Sequence, residues 1–84
     1  MTDDDILGRM RLLLNRVDGT RSEQHKRLAP DWTIDDLGCD SIMTLEIISD
    51  LEAFADVEIP DDDILRVRTI GDLVALIRRE RGER

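Results

Sequence analysis

The sequence has no tyrosine, and its only aromatic residues are Trp32 and Phe54. Sandwiches and barrels fill their half-buried strand faces with aromatic and β-branched side chains, so this shortage points to helices around a core of Leu, Ile and Val. Cysteine is nearly absent as well. With Cys39 alone, no internal disulfide can form, which agrees with a reducing compartment. No apolar run approaches the roughly 20 residues that span a bilayer, and the N-terminus opens on acids instead of a basic, apolar leader. No membrane insertion is expected, and the cytoplasm is the expected location.

A third absence is positional. Residues 28–65 contain no Lys or Arg but hold twelve acids, so that window carries −12 while the remainder carries +4, for a net charge of −8. Such a chain does not suit nucleic acid. A one-sided block of this kind instead draws basic partners toward whatever it surrounds. At 84 residues the chain is expected to form one domain, residues 1–84, with a single core and no deep catalytic cleft. It shows no internal repeat and no low-complexity tract.

The pattern of apolar residues predicts an all-α fold: a small four-helix bundle of three main helices and one short one, with a long loop between the first two main helices. Asp3, Asp4 and Asp5 precede a face of Ile6, Met10, Leu13, Leu14 and Val17, ended by Asp18-Gly19. No period is sustained from Asp18 to Asp40, although Thr20 to Arg27 has room for a helical turn and Leu28, Trp32, Ile34 and Leu37 can pin the loop. Ser41 to Ala55 has no Gly or Pro and forms the second main helix. Pro60 followed by three Asp starts the short helix, and Thr69 with Asp72 caps the last, whose apolar face is Ile70, Leu73, Val74, Leu76 and Ile77. Arg78, Arg79 and Arg81 suit the negative end of that helix, and the chain after them is expected to fray.

In the second main helix, an advance of about 100° per residue puts Met43, Thr44, Ile47, Ile48, Leu51, Phe54 and Ala55 on the core side. Ile42 and Leu45 fall opposite, among Glu46, Asp50 and Glu52. An apolar pair inside an acidic rim has the composition of a protein contact. Ser41 opens this helix. Asp40 is a good N-cap, Gly38 lets the backbone turn with positive φ just before it, and unpaired amides at a helix start favour an anion. Alone, these features fit a capping serine as well as a phosphate-bearing one.

The stretch Asp35-Asp36-Leu37-Gly38-Cys39-Asp40-Ser41-Ile42, with Leu45-Glu46-Ile47-Ile48, Leu51-Glu52, Glu58-Ile59-Pro60 and Thr69-Ile70-Gly71-Asp72-Leu73, resembles the acyl carrier protein family. The resemblance runs from Leu28 to Ile77 without a gap. It implies a 4'-phosphopantetheine arm on Ser41, flanked by Asp40 and Ile42, whose terminal thiol holds acyl groups as thioesters. It also implies that the helix after Ser41 is the recognition surface, with Ile42, Leu45, Glu46, Asp50 and Glu52 as partner-binding residues. The implied partners are a phosphopantetheinyl transferase using coenzyme A, then acyltransferases, ketosynthases and related enzymes with basic docking surfaces, which a monomeric carrier visits in turn.

Two departures from the commonest pattern of this family stand out. Met43 replaces an acid, and the aromatic Phe54 lies one position early. Both point away from housekeeping fatty-acid synthesis toward polyketide or another specialised acyl pathway. A peptidyl or aminoacyl carrier is the nearest alternative, opposed by the dense acidity, and an unmodified acidic helical docking module is another. Catalysis by Ser41 itself is not expected, because a nucleophile elbow needs Gly where Met43 stands and His25, the one histidine, lies in a basic stretch expected to be mobile. No residue is assigned a catalytic role. Asp61-Asp62-Asp63 lacks the alternating ligands and central Gly of a calcium loop, so no metal site is expected. Cys39 reads as a small residue at the start of the helix.

Overall fold

In the computed structural model, residues 1–38 and 40–82 are described. Their α-helices are α1 (Asp3–Val17), α2 (Ser22–His25), α3 (Ser41–Ala55), α4 (Asp61–Ile64) and α5 (Ile70–Glu80), with 3-10 turns at Gly19–Arg21 and Asp35–Leu37. The three long helices and short α4 match the bundle expected from sequence. The long loop is more ordered than its lack of period suggests, since it contains α2 and both 3-10 turns.

Each long helix begins on a side-chain cap. Thr2 and Asp5 form a capping box for α1, and Thr69 and Asp72 form one for α5. The Thr2 box was not anticipated, although Thr-x-x-Asp is legible in the sequence. Such caps are worth about 1 kcal/mol each because they satisfy amides that the helix leaves unpaired. Hydrogen bonds from Thr69 and Arg68 backbone N–H groups hold the Asp72 carboxyl below its usual pKa.

The core is aliphatic. Ile6, Met10, Leu14, Leu51, Ile70, Leu73 and Ile77 are its largest fully buried side chains. Burial of each contributes roughly 1.5–3 kcal/mol. Leu7 and Ile59 also belong to it, though the sequence reading did not place them there, and Val17 is only half-buried.

Leu28 and Leu37 anchor the long loop in the core, with Trp32 and Ile34 packed against its edge. Residues 30–34 are then stitched to the start of α5 by Ile34 N–H to Arg68 O (3.0 Å), Ile70 N–H to Trp32 O and Gly71 N–H to Pro30 O (both 2.8 Å). Gly71 permits this approach, because a Cβ there would lie 3.1 Å from the Pro30 carbonyl oxygen.

α3 stops where Asp56 takes a left-handed conformation, φ 56°. Glu52 then accepts the Ile59 N–H at 3.0 Å and fixes the return of the chain toward α4. The arginines of α5 reach beyond their own helix end: Arg78 pairs with Asp3 at 2.7 Å, Arg79 with Asp63 at 2.8 Å, and Arg81 donates to the Ala55 carbonyl at 2.6 Å. Gly82 is described as part of a turn, and the remaining residues of the frayed end expected from sequence lie outside the described residues. None of the described helices is long and apolar enough to cross a membrane.

Candidate functional site

Ser41 is the first residue of α3, and it is exposed. The chain reaches it through a sequence of local constraints. Thr33 and Asp36 exchange hydrogen bonds, Thr33 N–H to Asp36 Oδ2 (2.9 Å) and Asp36 N–H to Thr33 Oγ1 (3.1 Å). Leu37 plunges into the core, and Gly38 turns the backbone at φ 70°, a conformation that disfavours residues with a Cβ. Asp40 then caps α3: its Oδ1 accepts the Met43 N–H at 2.8 Å, and its carbonyl accepts from the Thr44 N–H and hydroxyl at 2.9 and 2.8 Å. Cys39, read as a small residue at this turn, lies outside the described residues.

The result is a hydroxyl on a fixed backbone, open to solvent, at the positive end of a 15-residue helix. Among the described residues no hydrogen bond engages the Ser41 side chain. The flanking Asp40 and Ile42 are both exposed as well.

His25 does not serve Ser41 as a base. Contrary to the expectation of a mobile stretch, its ring is buried, with Nδ1 2.6 Å from Asn15 Oδ1, the geometry of an Nδ1–H donor. Burial pushes its pKa below the usual value, while the negative charge of Asp18 acts the other way. The ring lines a recess of about 160 Å³ beneath the loop, shared with Leu14, Val17, Leu37, Gly38 and Met43. No metal-holding cluster of His, Cys, Asp or Glu occurs among the described residues.

The candidate docking face is narrower than the helical wheel suggests. Ile42 and Leu45 are 70% and 54% exposed, and Glu46 is exposed beside them. Asp50 and Glu52 are half-buried and engaged within the fold: Asp50 pairs with Arg9 of α1, and Glu52 holds the Ile59 amide. Met43 and Phe54 are corrections of the opposite kind. Expected in the core, they are 36% and 39% exposed, because α1 covers their edge of α3 incompletely and polar Arg9 occupies part of the seam. Leu65, just after α4, is 83% exposed and was missed. Its signal was the adjacent pair Ile64-Leu65, which a helix of four residues cannot bury together.

An exposed serine opening a capped helix, in a small helical bundle, is an arrangement that suits a carrier domain. Comparison with known proteins agrees. Residues 10–77 match the family of the phosphopantetheine attachment site. The acyl carrier protein of Akkermansia muciniphila is 33% identical over 82 residues, covering 98% of this chain and 100% of that protein. Those of Phenylobacterium zucineum (33% over 78 residues, 93% and 96% covered) and Caulobacter vibrioides (36% over 73 residues, 87% and 91% covered) are similar too. The chain belongs to the acyl carrier protein family, whose members are carriers and not enzymes and bear covalent 4'-phosphopantetheine on a serine.

Proposed function

We propose that Ser41 is the attachment point, and that this chain forms one carrier domain which works as a monomer in the cytoplasm. The observation that carries this reading is the exposed Ser41 hydroxyl at the first position of α3, held by the Asp40 cap. The arm supplies a terminal thiol on which acyl groups are held as thioesters. The protein's own task is to present the hydroxyl to a phosphopantetheinyl transferase and then to dock briefly on acyltransferases, ketosynthases and related enzymes. Ile42 and Leu45 supply apolar contact and Glu46 supplies attraction for basic docking surfaces; Asp50 and Glu52 add charge from the rim. Electrostatic attraction raises association rates without slowing release, which suits a carrier that changes partners.

The pathway we assign is polyketide or another specialised acyl biosynthesis. Met43, in place of the acid usual after the modified serine in fatty-acid carriers, and the displaced Phe54 support it.

Incubation with a broad transferase and coenzyme A, followed by intact-mass analysis, tests the assignment. One added arm on wild type and none on Ser41→Ala is the expected result; an unmodified wild type across several transferases favours the unmodified docking module. Charging of the holo protein by acyltransferases supports the pathway. Charging only by an amino-acid-activating enzyme makes it a peptidyl carrier instead.

A further inference from the structure

Residues 28–65 contain no Lys or Arg, so the stretch on either side of Ser41 brings no cation of its own to a phosphodiester. Its nearby charges, Asp35, Asp36 and Asp40, all repel one. The fold brings a cation across from the other end of the loop. Arg21 closes the 3-10 turn Gly19–Arg21. Asp18 fixes the root of that turn: one carboxylate oxygen accepts from the Thr20 N–H at 3.1 Å and from the Thr20 hydroxyl, and the other lies 3.5 Å from Arg21 Nε.

From this root the guanidinium crosses the loop and lies on the Gly38 α-carbon. A Cβ at Gly38 would overlap Arg21 Nη1 and sit 3.1 Å from Cζ. The absent side chain at Gly38 therefore serves two ends: it allows φ 70° and it leaves a seat for the guanidinium. Gly38 is three residues before Ser41, at most about 11 Å of extended chain. A guanidinium presents a planar fork of donors that matches paired phosphate oxygens, and the contact of Arg21 with Asp18 runs through Nε.

We propose that Arg21 is a positioning residue for the prosthetic arm: its guanidinium, seated over Gly38, pairs with the phosphodiester and lays the root of the arm toward the loop between α1 and α3. This rests on Ser41 being the modified residue. The pair offsets the repulsion between the diester and the surrounding acids, and it gives the arm a preferred direction of departure.

Phosphorus-31 NMR of the holo protein tests it, with Arg21→Gln and Arg21→Lys compared with wild type after intact mass has shown the arm in place. In wild type the diester resonance should move as NaCl rises from about 0.05 to about 0.5 M, because screening loosens the pair. Arg21→Gln should displace the low-salt resonance toward its high-salt position and abolish the response, while Arg21→Lys should retain part of it. The Arg21 Nε–H resonance should also differ between apo and holo wild type. Identical resonances and salt responses in wild type and Arg21→Gln overturn the proposal while leaving the carrier assignment intact. So does Arg21→Lys behaving as Arg21→Gln, which would assign the effect to loop packing. A wild type that acquires no arm removes both readings.

Discussion

Arg9 of α1 grips Asp50 of α3 with two donors on one carboxylate oxygen, Nε at 3.0 Å and Nη2 at 2.9 Å, while its guanidinium carbon stands 5.3 Å from the centre of the Phe54 ring. One side chain thus ties the middle of α1 to two successive turns of α3. Both members of the ion pair are partly shielded from water, so the link is stronger than a typical surface pair. A double-mutant cycle with Arg9→Gln and Asp50→Asn, read by urea denaturation, should give a coupling of about 1 kcal/mol. Strictly additive losses would show that the contact contributes nothing.

Because Asp50 is engaged in this way, Glu46 and Leu45 are the cleaner probes of docking. With a phosphopantetheinyl transferase as partner, Glu46→Lys should lower the association rate, and the deficit should shrink as salt rises past about 0.1 M, where the Debye length is near 10 Å. Leu45→Ala should mainly raise the dissociation rate, with little salt dependence. Neither should shift the unfolding midpoint of the free protein, since both side chains are exposed. Unchanged kinetics in both would reduce this face to a solubility feature.

Stability should fall in acid partly through His25. Its pKa is lowered in the fold by burial from the ordinary 6.5, with Asp18 opposing and Arg21 reinforcing the shift. The unfolded chain therefore binds the proton more readily. The stability tied to neutral His25 is complete above pH 6.5 and is lost as pH falls through the lower folded pKa. The net charge of −8 acts the opposite way, since protonation relieves self-repulsion. Comparison with His25→Gln separates the two: thermal unfolding at pH 7.5 and 5.5 should show a larger acid loss in wild type. Equal losses would mean that the buried ring is not the sensor.

The phase of α3 can be checked by truncation. Leu51→Ala, at a fully buried site, should cost about 2–5 kcal/mol. Met43→Ala should cost about 1 kcal/mol or less, because much of its side chain already meets water. Equal large losses at both would restore Met43 to the core.

Helix boundaries were legible where local chemistry sets them. Asp40 and Thr69 cap where their sequence positions imply, and α3 ends at Ala55 as the apolar period does. The five apolar residues assigned to the face of α5 are all buried. The interior of the long loop was not legible, because α2 is held by the His25–Asn15 bond and the burial of Leu28 and not by any period of its own. The same limit explains Met43 and Phe54. A wheel gives the direction of a side chain, but how far the neighbouring helix covers that direction depends on where α1 lies, and no single segment records that. The engagement of Asp50 and Glu52, expected as partner-binding acids, is hidden for the same reason: their partners, Arg9 and the Ile59 amide, come from other parts of the chain.

The three arginines after Ile77 bear on how the chain matures during translation. Asp3, the Ala55 carbonyl and Asp63 leave the ribosome before the side chains that hold them, so α1, α3 and α4 each wait on residues 78–81 for a final tether. Docking of this one helical turn fastens all three together. On this geometry, a chain ending at Ile77 keeps the hydrophobic face of its last helix, yet Asp3, Asp63 and the Ala55 carbonyl lack the arginines that hold them.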